Sequence, residues 1–336
     1  MGKQSFIPGY IDLYQTGELK RRAEKLEARL SSCDICPRKC RVNRLEGELG
    51  FCHSAHLPLV STVCTHFGEE PALSGKQGSG TIFFGNCNMR CVYCQNYQIS
   101  QDWGNQQSKE MGCHTLAERI IYLQDELKCH NINFVSPSHF VPQIVRAVME
   151  AIPMGLHLPL IYNTNSYDSI ETLKELDGII DIYLPDIRYA SDKKAKKYSQ
   201  APDYVKHSRT AIKEMQRQVG NLVLDEEGLA QKGMIVRHLI LPNGLAGSED
   251  SLTWLVKNVS PSITISIMSQ YFPSYHAPEI DILSRKISLS EYSEVTELIN
   301  RLGLENGWLQ GMKAAENYLP DFRQQNHPFD NKVDKR

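Results

Sequence analysis

The sequence predicts an α/β protein, a TIM-like partial (β/α)6 barrel preceded by a small cysteine-rich region. From Thr81 onward, short apolar runs alternate with amphipathic helical segments, which is typical of βα units and a parallel sheet. Six runs qualify as strands, and the segment 81–280 is shorter than the roughly 250 residues of a complete eight-stranded barrel. An open doubly wound sheet is the alternative, because periodicity alone does not separate the two.

The individual elements follow from periodicity and from helix-start signals. The predicted strands are 81–84, 132–135, 158–162, 179–184, 234–241 and 263–267. A helix before the first cysteines carries apolar residues at steps of three and four, at Leu19, Ala23, Leu26 and Leu30. Capping boxes predict three further helix starts, at Thr115 with Glu118, Asp168 with Glu171, and Ser288 with Glu291. The last of these helices is predicted to end at Gly303.

The chain divides into three predicted parts, which are the cysteine-rich region 1–80, the barrel 81–280, and a C-terminal helix with a frayed tail, 281–336. Hydrophobic residues make up 41% and charged residues 23% of the 336, as in ordinary soluble proteins. Lys and Arg number 37 against 39 Asp and Glu, so the chain lacks the positive excess typical of nucleic-acid binding. Because neither a membrane-length apolar run nor a signal-peptide pattern occurs, we expect a cytoplasmic protein without nucleic-acid or membrane partners.

Ten cysteines need an explanation, since in a reducing compartment clustered cysteines bind metal more often than they form disulfides. Three follow the first predicted strand with the spacing CxxxCxxC and are here called the motif thiols, namely Cys87, Cys91 and Cys94. Loops at the carboxyl ends of parallel strands form the active face of such folds. The motif thiols are therefore expected to face a cleft.

The chemistry of the motif thiols suits a [4Fe–4S] cluster with one iron left open. Three thiolates bind three irons of the cubane, whereas a cluster held by protein alone takes four. An open coordination position separates a catalytic metal site from a closed structural one. The alternatives are a zinc site that borrows a fourth ligand such as His66, and three ordinary buried thiols.

The motif, with an aromatic residue before its last cysteine, here Tyr93, resembles the signature of radical S-adenosylmethionine enzymes. Further segments are similar to the activating enzymes of glycyl radical enzymes and to their PflX-like branch, namely residues 78–84, Gln95 with Asn96, CPRKCRVNR, HFGEEPALSG and DIYLPDIRY. The resemblance implies a barrel of the radical SAM type, with a [4Fe–4S] cluster and S-adenosyl-L-methionine as cofactors. It also implies the reaction, in which the cluster reductively cleaves S-adenosylmethionine to a 5′-deoxyadenosyl radical that abstracts a hydrogen atom.

The same resemblance implies which side chains contact the cofactor. They are Tyr93, Asn96, Ser136, Ser138, Asn165, Asp186, Arg188 and Arg237. One place departs from the family, because the Gly-Gly-Glu type segment that holds the amino group in relatives is replaced by Ser136-Pro137-Ser138-His139. The amino anchor then falls to backbone carbonyls or to His139. The plainer interpretation of Asp186 and Arg188 is a salt bridge at a strand end.

A second set of cysteines precedes the barrel and is here called the N-terminal thiol group, consisting of Cys33, Cys36, Cys40 and Cys52. Four thiolates close a site, and the segment has too few apolar residues to fold on a core of its own, so a metal is expected. Zinc and a second iron–sulfur cluster suit the spacing equally, and four free thiols are the alternative. Between the two sets, His66, Glu69 and Glu70 line the cleft, contact a partner or are solvated loop charges.

The leading functional hypothesis is an oxidoreductase similar to pyruvate formate-lyase activating enzyme, acting on a glycine of a partner glycyl radical enzyme. Another protein, a peptide or a metabolite is the alternative substrate. Reduced flavodoxin or ferredoxin is the expected electron donor, and the basic run 193–197 is either its docking site or a solvated helix face. From a different class, a non-catalytic metal-binding or electron-transfer protein would use both cysteine sets structurally.

Overall fold

The computed structural model describes residues 6–104, 109–314, 319–324 and 327–329. Its strands are β1 Val60–His66, β2 Ser79–Phe84, β3 Ile132–Val135, β4 Leu160–Thr164, β5 Ile182–Pro185, β6 Val223–Leu224, β7 Ala230–Leu239, β8 Thr264–Met268 and β9 Gly307–Leu309. Its α-helices are α1 Gly9–Gln15, α2 Glu18–Ala28, α3 Pro71–Ser74, α4 Tyr97–Ser100, α5 Cys113–Asp125, α6 Val141–Ala151, α7 Ile170–Glu175, α8 Asp192–Ser199, α9 Tyr204–Val219, α10 Ser248–Asn258 and α11 Leu289–Leu302.

The strands form one sheet in the order β1-β2-β3-β4-β5-β7-β8-β9, with β6 beside β7. From β2 to β9 the strands on this path pair in parallel, whereas β1 and β6 pair antiparallel. The six predicted strands correspond to β2, β3, β4, β5, β7 and β8, so the predicted α/β fold with a parallel sheet is confirmed. Along this path the described strands keep chain order, whereas a doubly wound sheet reverses it. Closure into a partial barrel stays a prediction.

Both faces of the sheet are buried, because alternate residues of a strand point to opposite faces. In β4, Leu160 and Tyr162 pack in the main apolar cluster, while Ile161 between them belongs to a smaller one. The main cluster includes residues of α5, α6, α7, α9, α10 and α11. The smaller cluster includes Ala72 and Leu73 of α3. These helices therefore cover one face of the sheet, and α3 packs against the other.

The first 80 residues contain a strand that the sequence analysis did not predict. β1 lies antiparallel to β2, with Val63 opposite Ile82. Its sequence, VSTVCTH, mixes two valines with small polar residues, so the strand signal is weak and the pairing comes from β2. The predicted first helix is confirmed as α2, and its Leu19 and Leu26 join the main apolar cluster. The N-terminal region thus shares both sheet and core with the rest of the chain, and the division at residue 80 stays a prediction.

The predicted capping box at the last helix is confirmed. The Ser288 hydroxyl accepts from the backbone N–H of Glu291, whose carboxylate accepts from the Ser288 N–H. The helix, α11, ends as predicted at Gly303, whose φ of +66° is left-handed and suits glycine.

The other two predicted capping boxes are wrong. α5 begins at Cys113, which places Thr115 inside the helix. Asp168 precedes α7, but its carboxylate accepts hydrogen bonds from Tyr162 and Thr164 instead of capping the helix. In this second case, the carboxylate accepts from buried hydroxyl groups of β4 in place of the backbone N–H groups at the start of the helix.

The C-terminal part adds a short strand that the sequence analysis also did not predict. β9 pairs in parallel with β8, so this region contributes to the sheet as well as supplying α11. The predicted frayed tail lies outside the described residues except for 327–329, where the Phe329 ring stacks on His66 at 4.3 Å. In the ranges that the structure describes, no helix is long and apolar enough to cross a bilayer.

Candidate metal centre and cleft

The motif thiols lie on the loop between β2 and α4, at the carboxyl end of the first parallel strand. Cys91 is buried, and Cys87 and Cys94 are half-buried. Burial and the neighbouring Cys91 thiol raise the pKa of Cys94 to about 12, and the same two causes raise the pKa of Cys87. The three thiols are therefore close enough to influence one another electrostatically, as ligands of one cluster would be.

Two of the motif sulfurs contact polar groups from neighbouring segments. The backbone N–H of Met89 donates to Cys87 Sγ at 3.4 Å, and Asn165 Nδ2 donates to the same sulfur at 3.6 Å. The Ser100 hydroxyl lies 3.2 Å from Cys94 Sγ. Hydrogen bonds to ligating sulfurs are one of the factors that set the reduction potential of an iron–sulfur cluster. Asn165, predicted to contact the cofactor, thus lies against a motif thiol.

The third sulfur, of Cys91, ends a buried chain of hydroxyl groups. Ser199 Oγ donates to it at 3.0 Å and Arg188 Nη1 at 3.8 Å. The Tyr93 hydroxyl donates to the Tyr189 hydroxyl at 2.6 Å, which lies 2.7 Å from Ser199 Oγ. Each hydroxyl has one hydrogen to donate, so donation from Ser199 to the sulfur orders the chain from Tyr93 towards Cys91. Tyr93 is thereby connected to the motif through hydrogen bonds as well as through sequence.

A cleft opens beside the motif thiols, with about 1030 Å³ of free space including the part open to solvent. Cys94 lines it, together with five of the eight predicted cofactor residues, which are Tyr93, Asn96, Asp186, Arg188 and Arg237. The structure therefore brings together side chains from the motif loop, from the end of β5 and from β7.

Four side chains of alternating charge cross the cleft and are here called the charged row, consisting of Arg188, Asp186, Arg237 and Glu69. Asp186 accepts from Arg188 Nη2 at 2.6 Å and from Arg237 Nε at 2.8 Å. Arg237 Nη1 in turn donates to Glu69 at 3.3 Å. Burial acts to raise the pKa of Asp186, but Arg237 and Arg188 hold it below its usual range. The salt bridge between Asp186 and Arg188 is present, as part of a longer network.

The end of β1 contributes a histidine to the same cleft, and the loop after it contributes two carboxylates. Burial raises the pKa of both Glu69 and Glu70, although Arg237 acts in the opposite direction. Burial lowers the pKa of His66 to about 3, so its ring is neutral at pH 7. Of the three interpretations of these residues from sequence, the structure supports the one in which they line the cleft.

Two predicted cofactor residues lie in the structure outside the cleft lining, on the segment after β3. The Ser138 hydroxyl is buried and lies 3.1 Å from the Thr164 hydroxyl. Ser136 has φ +57° and donates its backbone N–H to the Asn163 carbonyl. This segment therefore bonds the end of β4, and its contact with a cofactor stays a prediction.

The N-terminal thiol group gathers around a small cavity that Arg38, Arg44 and His139 also line. The neighbouring residue His139 was the sequence candidate for the amino anchor, yet it lies here rather than in the main cleft. Its Nε2 is 3.0 Å from the Gly85 carbonyl, and burial lowers its pKa to about 3. Among the described residues, no three His, Cys, Asp or Glu side chains converge as ligands of a single metal ion.

Three residues that contact the site were not predicted from the sequence. Tyr189 and Ser199 reach Cys91 only through the packing of α8 and the preceding loop against the motif loop. Asn163 accepts from Arg237 Nη2 at 2.6 Å, from a strand two positions away in the sheet. Since these contacts join segments far apart in the chain, no local spacing could indicate them.

The chain is similar to known proteins as follows. No family model matches it. It is 30% identical to the uncharacterized protein MJ0674 of Methanocaldococcus jannaschii over 287 residues, covering 82% of this chain and 76% of the relative. It is 31% identical to the uncharacterized protein MJ0808 of the same organism over 91 residues, covering 23% of this chain and 27% of that protein.

Two solved structures show a distant likeness. "Native anSMEcpe with bound AdoMet" has a TM-score of 0.43 and 11% identity, covering 69% of this chain and 59% of that chain. "Structure of TYW1 with a lysine-pyruvate adduct bound" has a TM-score of 0.39 and 11% identity, covering 67% and 74%. Similarity at this level assigns no activity to the present chain.

Proposed function

The chain belongs to the family of the uncharacterized protein MJ0674 of Methanocaldococcus jannaschii, and because that relative's name states no activity, we propose one from the residues of the site. The protein is a radical S-adenosylmethionine enzyme of the oxidoreductase class, built on a partial barrel. The observation that carries the proposal is the placement of the CxxxCxxC thiols beside a charged cleft at the carboxyl end of a parallel sheet.

The motif thiols fit a [4Fe–4S] cluster by the chemistry of their surroundings. Every motif sulfur has a polar hydrogen-bond partner, and Arg188 points a cationic guanidinium at Cys91. Arg188 Nε is buried and has no partner among the described residues, which leaves a donor for a ligand in the cleft. Cys87, Cys91 and Cys94 would hold the cluster, which would supply one-electron reduction of S-adenosylmethionine and thereby radical hydrogen abstraction.

The residues around the thiols bind and orient rather than transfer protons. Asp186 fixes both arginines of the charged row, because it accepts from each at under 3 Å. Arg237 already donates to Asp186, Glu69 and Asn163, so Arg188 is the better placed donor for a cofactor carboxylate. Tyr93 and Asn96 line the cleft next to Cys94 and complete the cofactor side of the site. A radical abstraction needs no general base, and positioning is the protein's main task.

We propose a glycine of a partner glycyl radical protein as the substrate, on the resemblance of HFGEEPALSG, DIYLPDIRY and the motif to activating enzymes. The proposed electron donor is reduced flavodoxin or ferredoxin, and the proposed location is the cytoplasm. Residues of the basic run 193–197 lie on α8, whose last residue, Ser199, bonds Cys91. A peptide or a metabolite as substrate is an alternative outcome of the test.

The test is an anaerobic assay with reconstituted protein, dithionite and S-adenosylmethionine. Wild type is expected to release 5′-deoxyadenosine, and Cys91→Ala is expected to release none. Cys113→Ala, a half-buried cysteine of α5 outside both thiol sets, is the matched control and should behave as wild type. Intact S-adenosylmethionine beside a reducible cluster would instead indicate a non-catalytic electron-transfer protein. Deuterium transfer from a labelled partner protein into the 5′-deoxyadenosine would identify the hydrogen that is removed.

A further inference from the structure

The loop that carries the N-terminal thiol group is folded tightly around its sulfurs. Lys39 and Arg41 have φ of +43° and +61°, which residues with side chains rarely adopt. The backbone N–H of Arg41 donates to the Cys33 carbonyl. Gly50 leaves room for Cys40, because a Cβ at Gly50 would lie 2.8 Å from Cys40 Cβ and 2.9 Å from its sulfur. The chain is thus shaped by the gathering of four thiols.

Two arginines beside these thiols have no carboxylate partner among the described residues. Arg44, 1% exposed, donates to the carbonyls of Ala55 and His139 and lies with Nη1 3.9 Å from Cys33 Sγ. Arg38 Nη2 is also buried, and it has no hydrogen-bond partner among the described residues. A guanidinium stays charged, and a buried charge needs an opposite charge nearby. Metal-bound thiolates would supply that negative charge.

The two thiol sets meet at a stack of three side chains, here called the arginine layer, formed by Arg38, Phe51 and Arg90. The Arg38 guanidinium lies 3.6 Å and that of Arg90 4.5 Å from the centre of the Phe51 ring. On one side, the Phe51 N–H donates to Cys40 Sγ at 3.4 Å. On the other, Arg90 Nη1 donates to the Cys87 carbonyl at 2.7 Å. The arginine layer therefore connects the Cys40 sulfur, through the Phe51 backbone, with the backbone of Cys87.

We propose that the N-terminal thiol group holds a second [4Fe–4S] cluster, which passes single electrons across the arginine layer to the cluster of the motif thiols. In a cubane each thiolate binds its own iron, so four protein thiolates leave no iron open for substrate. The second cluster therefore serves electron transfer alone. Zinc, which has no redox chemistry, could not do so.

The electron balance of this transfer is simple. A one-electron donor of the flavodoxin or ferredoxin class reduces the second cluster by one electron. That electron then reduces the first cluster, and the second returns to its oxidised state. No bond or proton changes in this step. The inference rests on the proposed function only for the destination of the electron.

The first experiment measures iron, sulfide and zinc in anaerobically purified full-length protein. Wild type should contain about eight irons per chain, and the Cys87→Ala/Cys91→Ala/Cys94→Ala variant about four, with a reduced-cluster EPR signal after dithionite. Cys36→Ala/Cys52→Ala should also retain about four, and Cys113→Ala should match wild type. Gly50→Ala, which changes no ligand, should lose iron from the second cluster.

Several outcomes would overturn the proposal. One is zinc in place of iron in the variant that lacks the motif thiols, and another is the absence of any metal from it. This variant keeps the N-terminal thiol group intact, so the test stands even where Cys36→Ala/Cys52→Ala does not fold. Iron and EPR readouts do not involve S-adenosylmethionine, so they distinguish this proposal from a failure of the proposed enzymology.

The relay is tested separately with Phe51→Leu, which keeps the backbone N–H to Cys40. In fully reduced wild type, the EPR signal of each cluster should be broadened by the other, and this broadening should disappear when either thiol set is removed. Phe51→Leu should keep both clusters but slow the reduction of the first by a protein donor several-fold, followed by freeze-quench EPR. Unbroadened signals, or an unchanged rate, would show that the clusters do not exchange electrons across this layer.

Discussion

The Asp186→Asn variant tests whether the charged row stabilises the fold. Asn has nearly the same shape as Asp, but it removes the negative charge that Arg188 and Arg237 share. The side chains of Asp186, Arg237 and Arg188 are 6%, 15% and 26% exposed, so water replaces the lost carboxylate only in part. Both guanidinium groups remain charged after the substitution.

The magnitude follows from this burial. Removing one partner of a buried ion pair typically costs about 3–5 kcal/mol. We expect the lower end, about 3 kcal/mol, because Asn keeps an oxygen that can accept from one arginine. The matched control is Asp177→Asn, since Asp177 bonds Arg217 at 2.6 Å with side chains 38% and 56% exposed. Exposed pairs of this kind contribute below about 1 kcal/mol.

The pH dependence has a definite sign. The pKa of Asp186 is held below its usual range in the fold, so its stabilisation is present above the unfolded value near 3.9 and is lost as pH falls through the folded value. The difference between wild type and Asp186→Asn should therefore be constant near neutral pH and shrink in acid. Urea titrations followed by far-UV circular dichroism, on anaerobic protein of equal iron content, give the free energies of unfolding. A loss no larger than that of Asp177→Asn, or a difference that grows in acid, would refute the reasoning.

Three further predictions concern single side chains. Ser199→Ala removes the hydroxyl that donates to Cys91 Sγ, so it should lower the reduction potential of the first cluster by a few tens of millivolts. An EPR-monitored redox titration measures this potential, and an unchanged value would contradict the prediction. Burial lowers the pKa of His238 to about 4, so wild type should lose on the order of 3 kcal/mol of stability as pH falls from about 6.5 to 4, and His238→Gln should lose correspondingly less. Ser288→Ala breaks the capping box with Glu291 and should cost about 1 kcal/mol, measured as a lower Tm, whereas an unchanged Tm would mean that the box adds nothing.

The parallel strands could be predicted because their signal is local. Runs such as Ile132–Val135 are mostly apolar, as expected of strands buried on both faces, and in this run the predicted bounds equal the observed ones. β1 could not be predicted in this way, since it is polar in part and is held by its pairing with β2. The capping box at Asp168 failed for a related reason, because a buried Tyr162 hydroxyl competes for the same carboxylate.

The site shows the same division between local and distant signals. The motif thiols stand within eight residues of one another, so their spacing alone indicates a shared ligand. His139 lies close in sequence to residues expected at the cofactor, but the turn after β3 places it beside the N-terminal thiol group. Glu69 comes from a loop after an antiparallel strand, and only the packing of α3 against the sheet explains how it reaches Arg237. Tertiary contact, rather than sequence pattern, decides these positions.

The alternating charges along the cleft constrain how this protein can change over evolutionary time. Each side chain of the charged row neutralises its neighbours, so replacing one of them alone leaves an isolated buried charge. Replacing an arginine together with its carboxylate partner need not leave such a charge. Substitutions here should consequently be non-additive, and a second replacement can restore what the first removed. Descendants that acquire a different ligand at this place are expected to have altered the arginines and carboxylates in matched pairs.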